Sequence, residues 1–381
     1  MELPVKITMP KPLEIIPVTS RRQLGTFIRL PWKIYKGDPN WVPPLLVEQR
    51  TTLNTKKNPF FLHSKNQNYL AFRDGAPVGR ISAIVDDNYN EFQKATSGFF
   101  GFFEAIDDKT VSRALFSAAG KWIREQGMNR MLGPTNPSTN TVLGLLIDAF
   151  DKPAVLQMPY NPSYYVELVE DFGLTKAHDL YAYYMEDIVP ISDKIRRVAE
   201  LIRKRKNVTV RPVNMRKLKQ EIQLIKSVYN DAWERNWGFV PWTDAELEYM
   251  AADLKMAAIP DLVLFAYVDG ELAGWSLALP DLNQAMMRIN GRLFPFGIVK
   301  LLWHSKRTDM LRVLNLGIRK KFQGMGLDAI LYYETYTRGN KHGFHRGEFS
   351  WILEDNHPMR NAMENWGARI YKTYRLYAKD L

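Results

Sequence analysis

The pattern Ala-x-x-Asp-Gly-x-x-x-Gly occurs twice, at 71–79 and 266–274, an offset of 195 positions in a chain of 381. In both places apolar residues flank an Asp-Gly pair, the strongest short signal for a two-residue hairpin turn. The segments downstream of the two hairpins repeat as well. Helical patterns at 114–126 and 327–341 close at Gly127 and near Gly343, and strands come after them at 130–132 and 348–353. Next come Asn-led helices closed by glycine, 161–173 and 356–367, and aromatic strands at 180–184 and 374–377. The order hairpin, strand, helix, strand, helix, strand, met twice, predicts two copies of one α+β unit. Spacing differences put about 21 extra residues of the second copy in 281–310, and about 22 of the first around 133–140. The expected division is 1–190, a linker helix at 191–207, and 208–381. The basic run 203–206 reads as a solvated helix face.

Composition narrows the chemistry. The chain lacks cysteine, which excludes disulfides, thiolate zinc sites and a cysteinyl intermediate. Its 6 histidines show no metal-ligand spacing, and no metal is expected. Lys and Arg exceed Asp and Glu by 11, which invites anionic partners. No apolar run reaches the roughly 18 residues of a membrane span, and the N-terminal residues lack a signal-type core. The expected location is the cytoplasm, with peripheral contact at the inner face of the membrane.

One segment stands above this background. An apolar strand over 312–318 leads through Arg319, Lys320, Lys321, Phe322, Gln323, Gly324, Met325 and Gly326 into a helix beginning at Leu327. A helix start offers unpaired N–H groups and a positive dipole end, and glycines let the backbone approach a phosphate. The equivalent turn of the first copy has Asp107 and Asp108 and no Gly-x-Gly. Acids there suit the helix dipole but repel a pyrophosphate. The first copy is therefore expected to bind no nucleotide phosphate and to supply one wall of the acceptor site.

The stretch 321–326 resembles the acyl-CoA pyrophosphate loop of the GNAT N-acetyltransferases, Gln/Arg-x-x-Gly-x-Gly/Ala, with Lys321 where Gln or Arg is usual. More narrowly, PWKIYKGDPNWVPPL at 31–45, GFFGFFEAIDD at 98–108, YNPSYY at 160–165 and EFSWILEDN at 348–356 resemble a bacterial tandem-GNAT group. Some members of that group are regarded as ceramide synthases. The resemblance implies two tandem GNAT-like domains, each a mixed, mainly antiparallel sheet flanked by helices, with acyl-CoA or acetyl-CoA as co-substrate of the second. It further implies that Leu316, Gly317 and Ile318 pair with pantetheine. Arg319, Lys321, Phe322, Gln323, Gly324, Met325, Gly326 and Leu327 would hold the pyrophosphate, and Asn356 joins the cofactor-binding positions.

Acyl transfer to an amine needs a base for the ammonium proton and donors for the oxyanion. Glu354, at the end of the strand 348–353, is the first candidate base, and Glu348 the second. Strict alternation would put Glu348, Ser350 and Ile352 on one face, and Phe349, Trp351 and Leu353 on the other. The family's usual tyrosine acid falls at Met363 here, with Tyr371 and Tyr374 as substitutes. The apolar, basic-punctuated insertion 292–307 and the aromatic stretch 233–242 favour a lipid-like acceptor such as a long-chain base, with a flap or a membrane-interface element at 292–307. Two rival readings are an inactive acyl-CoA-binding module, which Met363 favours, and an aminoacyl-tRNA-dependent transferase. The loop at 321–326 argues against the latter, and nucleic acid is not an expected partner.

Overall fold

The computed structural model describes residues 12–186 and 193–381. The principal strands are β1 (Glu14–Pro17), β2 (Ser64–Arg73), β3 (Ala76–Asp86), β4 (Ser97–Ala105), β5 (Arg130–Gly133) and β6 (Thr175–Met185). Those of the second copy are β7 (Val208–Pro212), β8 (Val263–Val268), β9 (Glu271–Pro280), β10 (Met310–Ile318), β11 (Arg346–Leu353) and β12 (Arg369–Asp380). The repeat is conformational as well as sequential. Asp74 and Gly75 have φ of 52° and 74°, and Asp269 and Gly270 have 49° and 82°. Two successive positive φ values match the right-handed twist of a hairpin, and Asp-Gly tolerates both.

The two sheets run together as one 13-stranded sheet in the order β1-β2-β3-β4-β5-β12-β6-β11-β10-β9-β8-β7, with Leu145–Leu146 added against β12. Among the described residues only β4–β5 and β10–β11 pair in parallel, and the other strand pairs are antiparallel. The order shows a strand exchange. β12, the last strand of the second copy, lies beside β5 of the first, and β6 of the first lies beside β11. The aromatic strands seen in the sequence are therefore the joint between the copies. Tyr183 of β6 and Tyr374 and Tyr377 of β12 are fully buried there.

Each copy packs a long helix on its sheet. In the first, Lys109–Glu125 buries Val111, Leu115, Phe116 and Ile123 against Ile81 and Phe100. In the second, Leu327–Lys341 buries Leu331 and Tyr332 against Leu264, Leu311 and Met363. The expected linker contains the helix Asp193–Arg205, which lies along Leu327–Lys341; positions 191–192 lie outside the described residues, as do 1–11 and 187–190 of the first copy. Among the described residues no helix is long and apolar enough to cross a membrane.

Candidate active site

After Val313 and Phe349 the parallel strands β10 and β11 part. Leu314 is an extra residue between the β9 partners of Val313 and Asn315, a bulge that turns β10 away from its neighbour. The gap opens into a cavity of about 510 Å³ lined by both copies. Leu314, Asn315, Ser350, Trp351 and Asn356 border it on the second copy; Tyr35, Arg80, Glu104, Thr139 and Tyr165 border it on the first.

The equivalent opening of the first copy is closed by its own insertion. A Cβ on Gly101 of β4 would lie 1.7 Å from Thr135 O, and Phe102 N–H donates to Asn136 Oδ1 at 2.5 Å. The first copy's helix start is also occupied, because Asp108 accepts hydrogen bonds from Thr110 N and Val111 N and pairs with Arg73 at 2.7 Å.

The loop at 319–326 has the opposite character. Gly324 and Gly326 hold φ of 73° and 79°, and Gly326 caps the helix Leu327–Lys341 without any side-chain hydrogen bond. No cap side chain therefore satisfies the first-turn donors of that helix. Surrounding acids balance the loop cations. Lys320 N donates to Asp231 Oδ2 at 2.8 Å, the Lys320 ammonium pairs with Glu234, and Lys321 Nζ pairs with Glu271 at 2.5 Å. Arg319 donates to Ser227 Oγ at 2.7 Å. Gln323 donates back to Ile318 O, while Phe322 and Leu327 are buried in the core beneath the loop and Met325 packs against it. Leu316, Gly317 and Ile318 pair with Ser276, Trp275 and Gly274 on one edge, and their other edge faces the gap left by β11. Trp233 covers Gly317 so closely that a Cβ there would meet its ring at 2.3 Å.

The two glutamates have different surroundings. Glu354 does not border the cavity. Its carboxylate accepts from Lys176 Nζ at 2.6 Å and from Asp179 N at 3.0 Å. Burial opposes its charge, but the Lys176 hydrogen bond and the Asp179 N–H together hold its carboxyl below the usual range. Glu348 is fully buried and sits one hydrogen bond behind the cavity wall: Ser350 Oγ donates to Glu348 Oε1 at 2.5 Å. Tyr371 OH donates to the other oxygen, and Arg312 Nε donates to Ser350 Oγ at 3.0 Å. Burial first, and then the Glu348 carboxylate, push the Tyr371 phenol far above its normal value. Behind them lie Asp281, which burial pushes up to about 6, and Lys372, which burial pushes down.

Strict alternation along β11 does not hold. The pairing with β6 slips between Phe349 and Ile352, so Ile352 packs with Phe349 while Trp351 packs with Leu353. The slip keeps Glu348 and Ser350 together but turns Ile352 to the opposite face. Met363 is buried at 1% exposure in the second core, where it serves packing. Asn356 accepts from Met359 N at 3.2 Å, capping the helix His357–Asn365 at the cavity edge.

Arg80, Glu104 and Arg312 did not emerge from motif reading, although each is a charge within an apolar strand. Such a residue is seldom buried without a partner, which is the signal that would have found them. Arg80 pairs with Glu104 at 3.3 Å and donates to Phe27 O at 2.7 Å, while Tyr165 OH donates to Glu104 at 2.7 Å. Burial raises the Glu104 carboxyl above its ordinary value against the pull of Arg80. Among the described residues no group of three or more His, Cys, Asp or Glu is placed to hold a metal ion.

A parallel strand pair that parts over a cavity, above a glycine-bearing loop and helix start, defines a GNAT-type acyltransferase fold, here in tandem. Solved structures agree. A tandem GNAT protein from the clavulanic acid biosynthesis pathway matches with a TM-score of 0.57 at 12% identity, over 97% of this chain and 98% of that one. A GNAT protein from Sphaerobacter thermophilus matches with a TM-score of 0.54 at 11% identity, over 98% and 97%. No protein-family model matches the chain. Among curated proteins, the bacterial ceramide synthase of Caulobacter vibrioides is 39% identical over 97% of this chain and 98% of its own length. YghO of Escherichia coli is 36% identical over 95% and 94%. The chain belongs to the tandem-GNAT family that includes these two proteins.

Proposed function

We propose that this protein transfers an acyl group from acyl-CoA to the amine of a long-chain base, with the reaction at the parting of β10 and β11. The observation that carries this reading is Ser350, on the cavity wall at that parting, hydrogen-bonded to the buried Glu348. The CoA pyrophosphate lies on the N–H groups of 324–327, with Lys320 and Lys321 exchanging their acidic partners, and Arg319 its bond to Ser227, for phosphate. Pantetheine runs along the free edge of Leu316, Gly317 and Ile318, and the bulge at Leu314 presents backbone N–H to the thioester oxygen.

The amine attacks the thioester carbon, the C–N bond forms, and the C–S bond breaks to release CoA thiolate. The amine proton passes through Ser350 Oγ to Glu348, which makes Glu348 the base and Ser350 the relay. Glu354, held by Lys176 and outside the cavity, is the weaker candidate. The name of the Caulobacter relative and the aromatic lining from Tyr229, Trp233 and Trp351 support a lipid-like acceptor. We assign 1–190 and 208–381 as the two repeats, joined through 191–207.

The test is direct. Purified protein is incubated with palmitoyl-CoA and sphinganine, and the N-acyl product is tracked by mass spectrometry alongside release of free CoA. Absence of product, together with absence of CoA binding by calorimetry, contradicts the proposal.

A further inference from the structure

The insertion between β9 and β10 has two unlike sides. Its inner side is cavity wall: Asn283 and Met286 border the cavity, and Asn283 Nδ2 donates to Ala154 O at 2.8 Å. Its base is pinned to the first copy. Leu46 N donates to Gly291 O at 3.0 Å, and Trp32 Nε1 donates to Asn290 Oδ1 at 2.9 Å. Gly291 fits so tightly that a Cβ would lie 2.4 Å from Pro44 O.

The outer side is the helix Gly297–Ser305 and the turn before it. Phe294 is 88% exposed, Phe296 71%, Val299 63%, Leu302 60% and Trp303 53%. A helix bounded by water turns its polar residues outward; this one turns its apolar residues outward. Single exposed hydrophobics need no explanation, but a contiguous cluster marks a binding surface. The stretch that carries the cluster is of one sign, with the buried Asp281 before it and Asp309, paired with Arg346, after it. Between Leu282 and Thr308 there are five cations, Arg288, Arg292, Lys300, Lys306 and Arg307, and no carboxylate. The Arg307 guanidinium stacks 3.7 Å above the Trp303 ring.

We propose that this face docks on an anionic lipid bilayer, its aromatic and aliphatic side chains entering the headgroup region and its cations meeting lipid phosphates. The charge pattern selects this occupant. A second copy seated on the same face would bring two sets of five cations together with no acid between them, and like charges at an interface oppose association. Docking holds the cavity wall formed by Asn283 and Met286 next to the bilayer, so a lipid amine reaches the cavity from the membrane without crossing water. Only this last step rests on the reaction proposed above.

The test is vesicle flotation of the full protein without acyl-CoA, so its outcome is independent of catalysis. Phosphatidylcholine vesicles are compared with vesicles that also contain phosphatidylglycerol. Binding is expected only to the latter and falls as salt rises. Each cation removed weakens it about fivefold, so Lys300→Ala with Lys306→Ala weakens it about 25-fold. Phe296→Ser with Trp303→Ser is expected to abolish flotation, with an unchanged melting temperature and unchanged turnover of a detergent-dispersed amine. Absence of flotation on anionic vesicles, or flotation that both double variants retain, overturns the proposal. So does concentration-dependent self-association that the apolar variant removes.

Discussion

Ser350 Oγ lies 2.5 Å from Glu348 Oε1, so a carboxylate with no exposed surface reaches the cavity through one hydroxyl. General-base catalysis contributes roughly 10²–10⁴-fold. Ser350→Ala, which leaves the glutamate in place, is expected to lower kcat about 100-fold with the Kd for CoA unchanged. Glu348→Gln should do at least as much. Glu354→Gln breaks a partly exposed ion pair, costs about 0.2–1 kcal/mol of stability, and should leave turnover intact. Steady-state kinetics beside a thermal melt checks all three, and an equal kcat loss in Glu354→Gln would return the base to that residue.

Gly326 has φ of 79°, and a Cβ there would lie 2.5 Å from Ile202 Cδ1 of the linker helix. An alanine at such a φ costs about 1–2 kcal/mol and forces Ile202 aside. Gly326→Ala is therefore expected to weaken CoA binding about tenfold in isothermal titration. Asp107→Ala, at the equivalent turn of the first copy, should leave affinity unchanged.

Local patterns carried most of the fold. The Asp-Gly turns, the helix Leu327–Lys341 and the aromatic strands all lie where periodicity and turn chemistry place them. The exchange of β6 and β12 was not legible, because strand partners are chosen by long-range packing of faces that look alike in sequence. The site divided in the same way. The loop at 319–326 is read from adjacent residues. Alternation along β11 sets Ser350 beside Glu348, but the Arg312–Ser350–Glu348–Tyr371 chain is completed by side chains from β10 and β12, which no local spacing brings together.

His63 joins the copies. Its Nδ1 lies 3.0 Å from Asp86 Oδ1 in the first, and its Nε2 lies 3.3 Å from Glu246 Oε1 in the second. Burial opposes the imidazolium, but the hydrogen bond to Asp86 and the neighbouring Glu246 carboxylate push its pKa up to about 10. A pKa raised on folding adds stability that is complete below the unfolded value near 6.5 and is lost as pH rises towards 10. Urea denaturation should accordingly give lower stability at pH near 9.5 than near 6.5. His63→Ala is expected to cost about 1.5–3 kcal/mol at the lower pH and to flatten this contribution to the profile.

Arg80 and Glu104, 3.3 Å apart and both on the cavity wall, separate a structural pair from an acceptor-binding one. Removing one member strands the other charge largely buried, so Arg80→Leu alone should cost about 3–5 kcal/mol. Arg80→Leu with Glu104→Leu removes both charges and should recover part of that loss, as a double-mutant cycle by urea denaturation would measure. If the first copy supplies one wall of the acceptor site, the stable double variant will show a raised KM for the amine and an unchanged KM for acyl-CoA. An unchanged KM for both would make the pair an element of the fold alone.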